Sequence, residues 1–295
     1  MKPLTAFVSS HPVLSYFTLT FAMSWGGFVL AVGPSGIPAA PGEFQKMPLL
    51  AIAMMLAGPA VVGVLMTGLV SGRKGFRELL SRLAKRGVGG PCYALALLIA
   101  PVLFSAVLLP LSLYSPVFQP GIFASDAKVS FAVVGILVGL IVGILEELGW
   151  TGFAVPRLRL HYGVFSTGLI VGVAWGAWHV LANDVWASVA TAGDLPVNLF
   201  LVLRGLGLLV GGLLPFRVLM VWVYNRTGSL LVAMLMHASY AASTFIINPI
   251  AMSGTSLLVY DVLSAIAGWL VVAVVAARGG WHVERRPFRS VRRAA

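Results

Sequence analysis

Residues 129–155 read VSFAVVGILVGLIVGILEELGWTGFAV, an apolar run with two adjacent glutamates, Glu146 and Glu147. About 20 apolar residues rising 1.5 Å each cross the ~30 Å hydrocarbon core of a bilayer, so the run reads as a membrane span. A carboxylate inside such a span costs about 2.5–3.5 kcal/mol on insertion scales, so a pair of them marks a partner or a task. The alternative is a span that ends at Leu145 and leaves both carboxylates in water.

The rest of the chain extends the pattern. Of its 295 residues, 59% are hydrophobic and 10% charged, against roughly 25% charged in a soluble domain. Seven further apolar runs, at about 13–33, 48–70, 92–114, 163–182, 200–223, 228–247 and 257–277, bring the expected number of spans to about eight. The first is too long for the apolar part of a cleaved leader and reads as a retained helix. The expected fold is all-α, a polytopic helical bundle.

Charge placement orients it. Residues 71–91 hold Arg73, Lys74, Arg77, Arg82, Lys85 and Arg86 against Glu78, and the tail from 278 holds six arginines against Glu284. Eight spans put these stretches on one side, with Glu43, Asp126, Asp184 and Asp194 on the other. This asymmetry predicts both termini in the cytoplasm and a multi-pass protein of the cell (inner or plasma) membrane. The net charge of +11 is then a membrane signature; no basic domain or stripe for nucleic acid is present. Residues 71–91 place Phe76, Leu79, Leu80 and Leu83 at helical spacing among cations, as in an interfacial helix on anionic lipid. One transmembrane domain is expected over 1–277, with the chemistry in spans about 129–247. Residues 278–295 read as a basic, disordered cytoplasmic tail. The single cysteine, Cys92, excludes an intrachain disulfide and a cysteine metal cluster.

Two histidines join the glutamates: His179 in VGVAWGAWHVLAN and His237 in LVAMLMHASYAAS. Successive helical residues lie about 100° apart, so one glutamate can face the bundle interior while its neighbour bonds elsewhere. Counting residues along the spans puts Glu146 and His237 each roughly 14 Å from a helix end on the basic side, and His179 roughly 24 Å from it. A glutamate can activate water, histidines can bind a metal or an oxyanion, and Glu with two His is also a zinc ligand set. Proton-coupled transporters use the same residue types, but the inverted repeat of broken helices that would favour one is missing.

The segments also resemble a known family. Glu146-Glu147-Leu148-Gly149-Trp150-Thr151-Gly152-Phe153 with Pro156-Arg157-Leu158, then Trp175 with His179 four residues on, then His237-Ala238-Ser239, are similar in order and spacing to the three motifs of the CAAX-protease and bacteriocin-processing (CPBP, Abi-type) intramembrane peptidases. Ala57-Gly58-Pro59 and Tyr224-Asn225-Arg226-Thr227-Gly228 add to the likeness. That family is related to type II CAAX prenyl endopeptidases and usually described as metal-dependent. The resemblance implies an intramembrane endopeptidase acting on a peptide or membrane-associated protein. Glu146 would activate water, Glu147 would support it, and His179 and His237 would hold a divalent metal such as zinc, with Glu146, or the oxyanion. Two departures stand out. Thr151 replaces the usual arginine and Ala241 the usual asparagine, with Arg157, Ser239, Tyr240 and Ser243 as the nearby groups able to compensate. A non-catalytic scaffold or bacteriocin self-immunity protein is the alternative these departures leave open.

Overall fold

A computed structural model describes residues 3–40 and 47–279. The expected tail falls outside the described residues apart from its first two positions. Every regular element among the described residues is helical. The chain runs α1 (Pro3–Ser10), α2 (Pro12–Val32), α3 (Leu49–Leu83), α4 (Gly90–Tyr114), α5 (Gly121–Ala124) and α6 (Lys128–Gly149). A π-helical turn, Trp150–Ala154, leads into α7 (Val155–Leu158), followed by α8 (Val164–His179). A second π segment, Val180–Trp186, precedes α9 (Ser188–Thr191) and α10 (Val197–Leu206). A third, Gly207–Leu213, joins α10 to α11 (Leu214–Thr227), and α12 (Leu230–Ile247) and α13 (Gly254–Ala277) are the last of the described helices.

Among the described residues seven helical stretches are long and apolar enough to cross a membrane. They coincide with seven of the eight expected runs. The other, expected at 200–223, falls on α10, the third π segment and α11, whose two helices are 10 and 14 residues long. The outer surface carries large apolar side chains such as Leu30 (85% exposed), Val129 (79%) and Leu113 (91%). Such a surface suits hydrocarbon rather than water.

The core surrounds α11. Eleven of its 14 residues are buried; Phe216, Val218, Leu219 and Met220 pack with Ala96 and Ala100 of α4 and Val232 and Met236 of α12. A helix buried all round has no polar face to spend, so its one buried charge, Arg217, needs an internal partner. The chain reverses between α11 and α12 at Gly228, whose left-handed φ of 60° suits glycine, and Ser229 then caps α12 by accepting from the Val232 N–H. At the other end of the bundle Asp194 accepts from the Thr255 N–H and hydroxyl, which hold its carboxyl below the usual range.

The stretch expected as an interfacial helix continues α3. Gly72, at φ 53° and ψ −146°, interrupts the helix there, and residues 73–83 form its last turns.

Candidate active site

The site begins with glycines. Gly135, Gly139 and Gly143 recur every fourth residue on α6, and a Cβ at Gly139 or Gly143 would run into the α12 backbone at Ala238 or at Met234. This stripe lets two backbones touch, as small residues do between membrane helices. It brings the glutamates, one turn further along α6, beside His237 on α12.

Glu147 turns into the dry interior and is fully buried. Arg217 Nη1 of α11 donates to both its carboxylate oxygens, at 2.8 and 2.9 Å. The Thr151 hydroxyl donates to it as well, and His237 Nδ1 lies 2.7 Å from its Oε1. The Arg217 guanidinium stacks 4.2 Å above the Trp175 ring, an arrangement that adds cation–π attraction to the ion pair.

Glu146 turns toward a cavity of about 340 Å³, lined also by Trp175, His179, Asn183, His237 and Tyr240. Trp175 Nε1 donates to Glu146 Oε2 at 2.7 Å. His237 Nε2 lies 3.9 Å from the same oxygen, beyond a direct hydrogen bond. One turn after Trp175, His179 Nδ1 donates to the Trp175 carbonyl at 2.8 Å. Both rings stand edge-on to Trp175 with centroids 5.2 Å away. Each imidazole thus has Nδ1 committed, which leaves Nε2 as the working nitrogen. α2 helps fix this frame: Trp25 Nε1 donates to the Trp178 carbonyl at 2.9 Å, and the Tyr16 ring packs on Trp150 and Phe153 in the π turn after the glutamates. Such π turns recur at functional sites, and here one follows each of the first two motifs.

All four expected residues, Glu146, Glu147, His179 and His237, therefore meet around Trp175. His179, which residue counting set about 10 Å deeper than Glu146 and His237, lines the same cavity as those two, one turn after Trp175 on α8. The metal set does not assemble. Glu146 and His237 face one another, yet no group of three His, Cys, Asp or Glu side chains among the described residues is placed to hold an ion. A catalytic zinc takes three protein ligands, so Glu146, His179 and His237 do not fit that role in this arrangement.

The groups expected to compensate for Thr151 and Ala241 are mostly engaged elsewhere. Arg157 bonds the Phe153 carbonyl and the Ser71 hydroxyl, and Ser239 bonds the Leu97 carbonyl. Ser243 is buried away from the lining, whereas Tyr240 does line the cavity. Glu147 takes its counter-charge from Arg217, 66 residues beyond Thr151. Arg217 stands toward the end of the expected run 200–223. Its signal was that two buried carboxylates demand a counter-charge and a single span interior offered one. Asn183, four residues after His179, lines the cavity as well.

Residues 128–243 match the family model described as type II CAAX prenyl endopeptidase Rce1-like. A curated relative, CAAX prenyl protease 2 of Methanococcus maripaludis, is 38% identical over 40 residues, covering 14% of this chain and 15% of that protein. The matched stretch contains Glu146, Glu147, Thr151, Trp175, His179, Arg217 and His237, and over it the resemblance to type II CAAX endopeptidases is borne out.

Proposed function

We propose that the protein is a CAAX-type intramembrane endopeptidase that hydrolyses a peptide bond with water activated by Glu146. The observation that carries this reading is the 3.9 Å gap between Glu146 Oε2 and His237 Nε2 at the wall of the cavity. A water held about 2.8 Å from each would sit between them. Glu146 takes one proton from that water as its oxygen bonds to the scissile carbonyl carbon, while His237 Nε2 accepts a hydrogen bond from the O–H that remains and so orients the attacking oxygen. The carbonyl oxygen becomes the oxyanion, and the Asn183 amide, facing the same cavity, supplies the donor that Ala241 lacks. Glu146 then returns the proton to the departing amide nitrogen.

Glu147 is a positioning residue. Anchored by Arg217 and Thr151, it holds His237 with Nε2 toward Glu146. The substrate is a peptide or a membrane-associated protein carrying a C-terminal segment, taken from the cytoplasmic leaflet of the cell membrane with both termini of the enzyme on that side. Bacteriocin or peptide maturation uses the same chemistry on another substrate.

The test is Glu146→Gln, which keeps the Trp175 contact and removes the base. Cleavage in reconstituted membranes is expected to fall by about 10²–10⁴-fold with unfolding unchanged. Equal cleavage by the variant would sink the peptidase reading and favour the non-catalytic one.

A further inference from the structure

A second cavity, of about 410 Å³, opens where α3 passes its Gly72 break and meets α7. Its charged lining is lopsided: Lys74, Arg82 and Arg157 against Glu78, with the hydroxyls of Thr67, Ser71 and Ser81 between them. Arg82 and Arg157 are close enough to act on each other as like charges, and Glu78 offsets part of that repulsion.

The guanidinium groups are oriented rather than loose. Arg82 donates to the Tyr224 hydroxyl and to the Gly152 and Glu78 carbonyls. Arg157 donates to the Phe153 carbonyl and the Ser71 hydroxyl, and its guanidinium sits 3.7 Å over the Phe153 ring. Each arginine has five N–H donors, so both keep some uncommitted among the described residues. Lys74 is exposed and has no hydrogen bond or ion pair among them. Leu160 (66% exposed) and Pro156 add apolar surface to the lining. Fixed N–H forks, a free ammonium, hydroxyls and flanking apolar groups match a phosphate ester, with the fork supplying paired bonds and the ammonium a point charge.

We propose that this cavity binds the phosphate of an anionic ester, whose source at this depth is the headgroup of an anionic phospholipid. Both arginines also hold carbonyls of the π turn that follows Glu146 and Glu147, Gly152 and Phe153. An occupied site therefore braces the segment that presents the glutamates.

The protein is reconstituted in nanodiscs of phosphatidylcholine with a minor share of phosphatidylglycerol, and retained phosphatidylglycerol is counted by native mass spectrometry. Lys74→Glu is expected to lower retention about five- to tenfold. Arg73→Glu and Arg77→Glu make the same charge change on the same helix outside the cavity and are expected to change it less than about twofold. Glycerol phosphate in the buffer separates the sources. Displacement of the lipid at millimolar concentration, abolished by Lys74→Glu, assigns the site to a soluble phosphate ester; no displacement assigns it to the lipid. Equal losses in all three variants, or none in Lys74→Glu, overturn the site in favour of diffuse attraction.

Discussion

Two ion clusters lie within or beside the same cavity, and they are built differently. In the first, Glu147 and Arg217 are both fully buried, 2.8 Å apart, with Thr151 and His237 completing the carboxylate. In the second, Arg204 of α10 lies 3.3 Å from Asp184 and 3.5 Å from Asp261, and Arg204 and Asp261 line the cavity. There, both Asp184 oxygens and Asp261 Oδ2 are buried without a hydrogen-bond partner among the described residues, whereas both Glu147 oxygens have one; on the cation side Arg204 Nε in the second cluster and Arg217 Nε and Nη2 in the first are alike without one. An unsatisfied buried group costs about 1–3 kcal/mol. The first cluster spends its geometry on fixing one imidazole. The second accepts a looser fit next to the space where a substrate would lie. The comparison teaches that the polar groups of the bundle divide into a fixed frame and an adaptable wall.

The largest expected effect breaks the frame. Arg217→Met leaves Glu147 buried without its counter-charge, and removing one partner of such a pair costs about 3–5 kcal/mol. Reversible unfolding in detergent–denaturant mixtures measures it. The double variant Arg217→Met with Glu147→Gln removes the stranded charge and is expected to recover part of the loss, because the two sites are coupled. A double variant no more stable than the single one would show that Arg217 acts through packing on Trp175 and not through Glu147.

Thr151→Val sharpens the same side of the comparison with a smaller perturbation. The hydroxyl that donates to Glu147 is replaced by a methyl of similar shape, and the expected cost is about 1–2 kcal/mol. Since Glu147 still holds Arg217 and His237, the rate of cleavage should fall only modestly while KM stays fixed. A collapse of kcat as deep as that of Glu146→Gln would move Thr151 from positioning Glu147 to touching the reacting atoms.

Much of the frame was legible in the sequence because it is local. The spans announce themselves by apolar runs, and Glu146, Glu147, His179 and His237 stand out because ionisable groups in lipid are costly. Arg217 was legible as a charge but not as a partner. Its mate lies 70 residues earlier, and no periodicity links the two. The π segments were hidden as well: WTGFA and VLANDVW carry no proline or turn signal that separates a π turn from an ordinary one. Residue counting failed for His179 for a related reason, since it assumes straight helices of equal depth. Arg157, one of the four nearby groups able to compensate, lies six residues from Thr151, a step that sends helical residues to different faces, and it ends in the second cavity.

The smallest effect tests the wall. Asp261→Asn keeps the shape of the side chain and removes one of two carboxylates around Arg204, while Asp184 still lies 3.3 Å from the guanidinium. The remaining ion pair limits the loss, so the stability change should stay near 1 kcal/mol, the net worth of a typical hydrogen bond. Because Asp261 borders the cavity and stands apart from Glu146, the kinetic change should be a few-fold shift in KM with kcat preserved, as expected when ground-state and transition-state binding weaken together. The pair of measurements decides whether the two clusters differ in kind. If Asp261→Asn costs as much as Arg217→Met, the second cluster is as fixed as the first. The cavity would then have two rigid walls, and access for a peptide would have to come from movement of the π segment at Gly207–Leu213 that joins α10 to the buried helix α11.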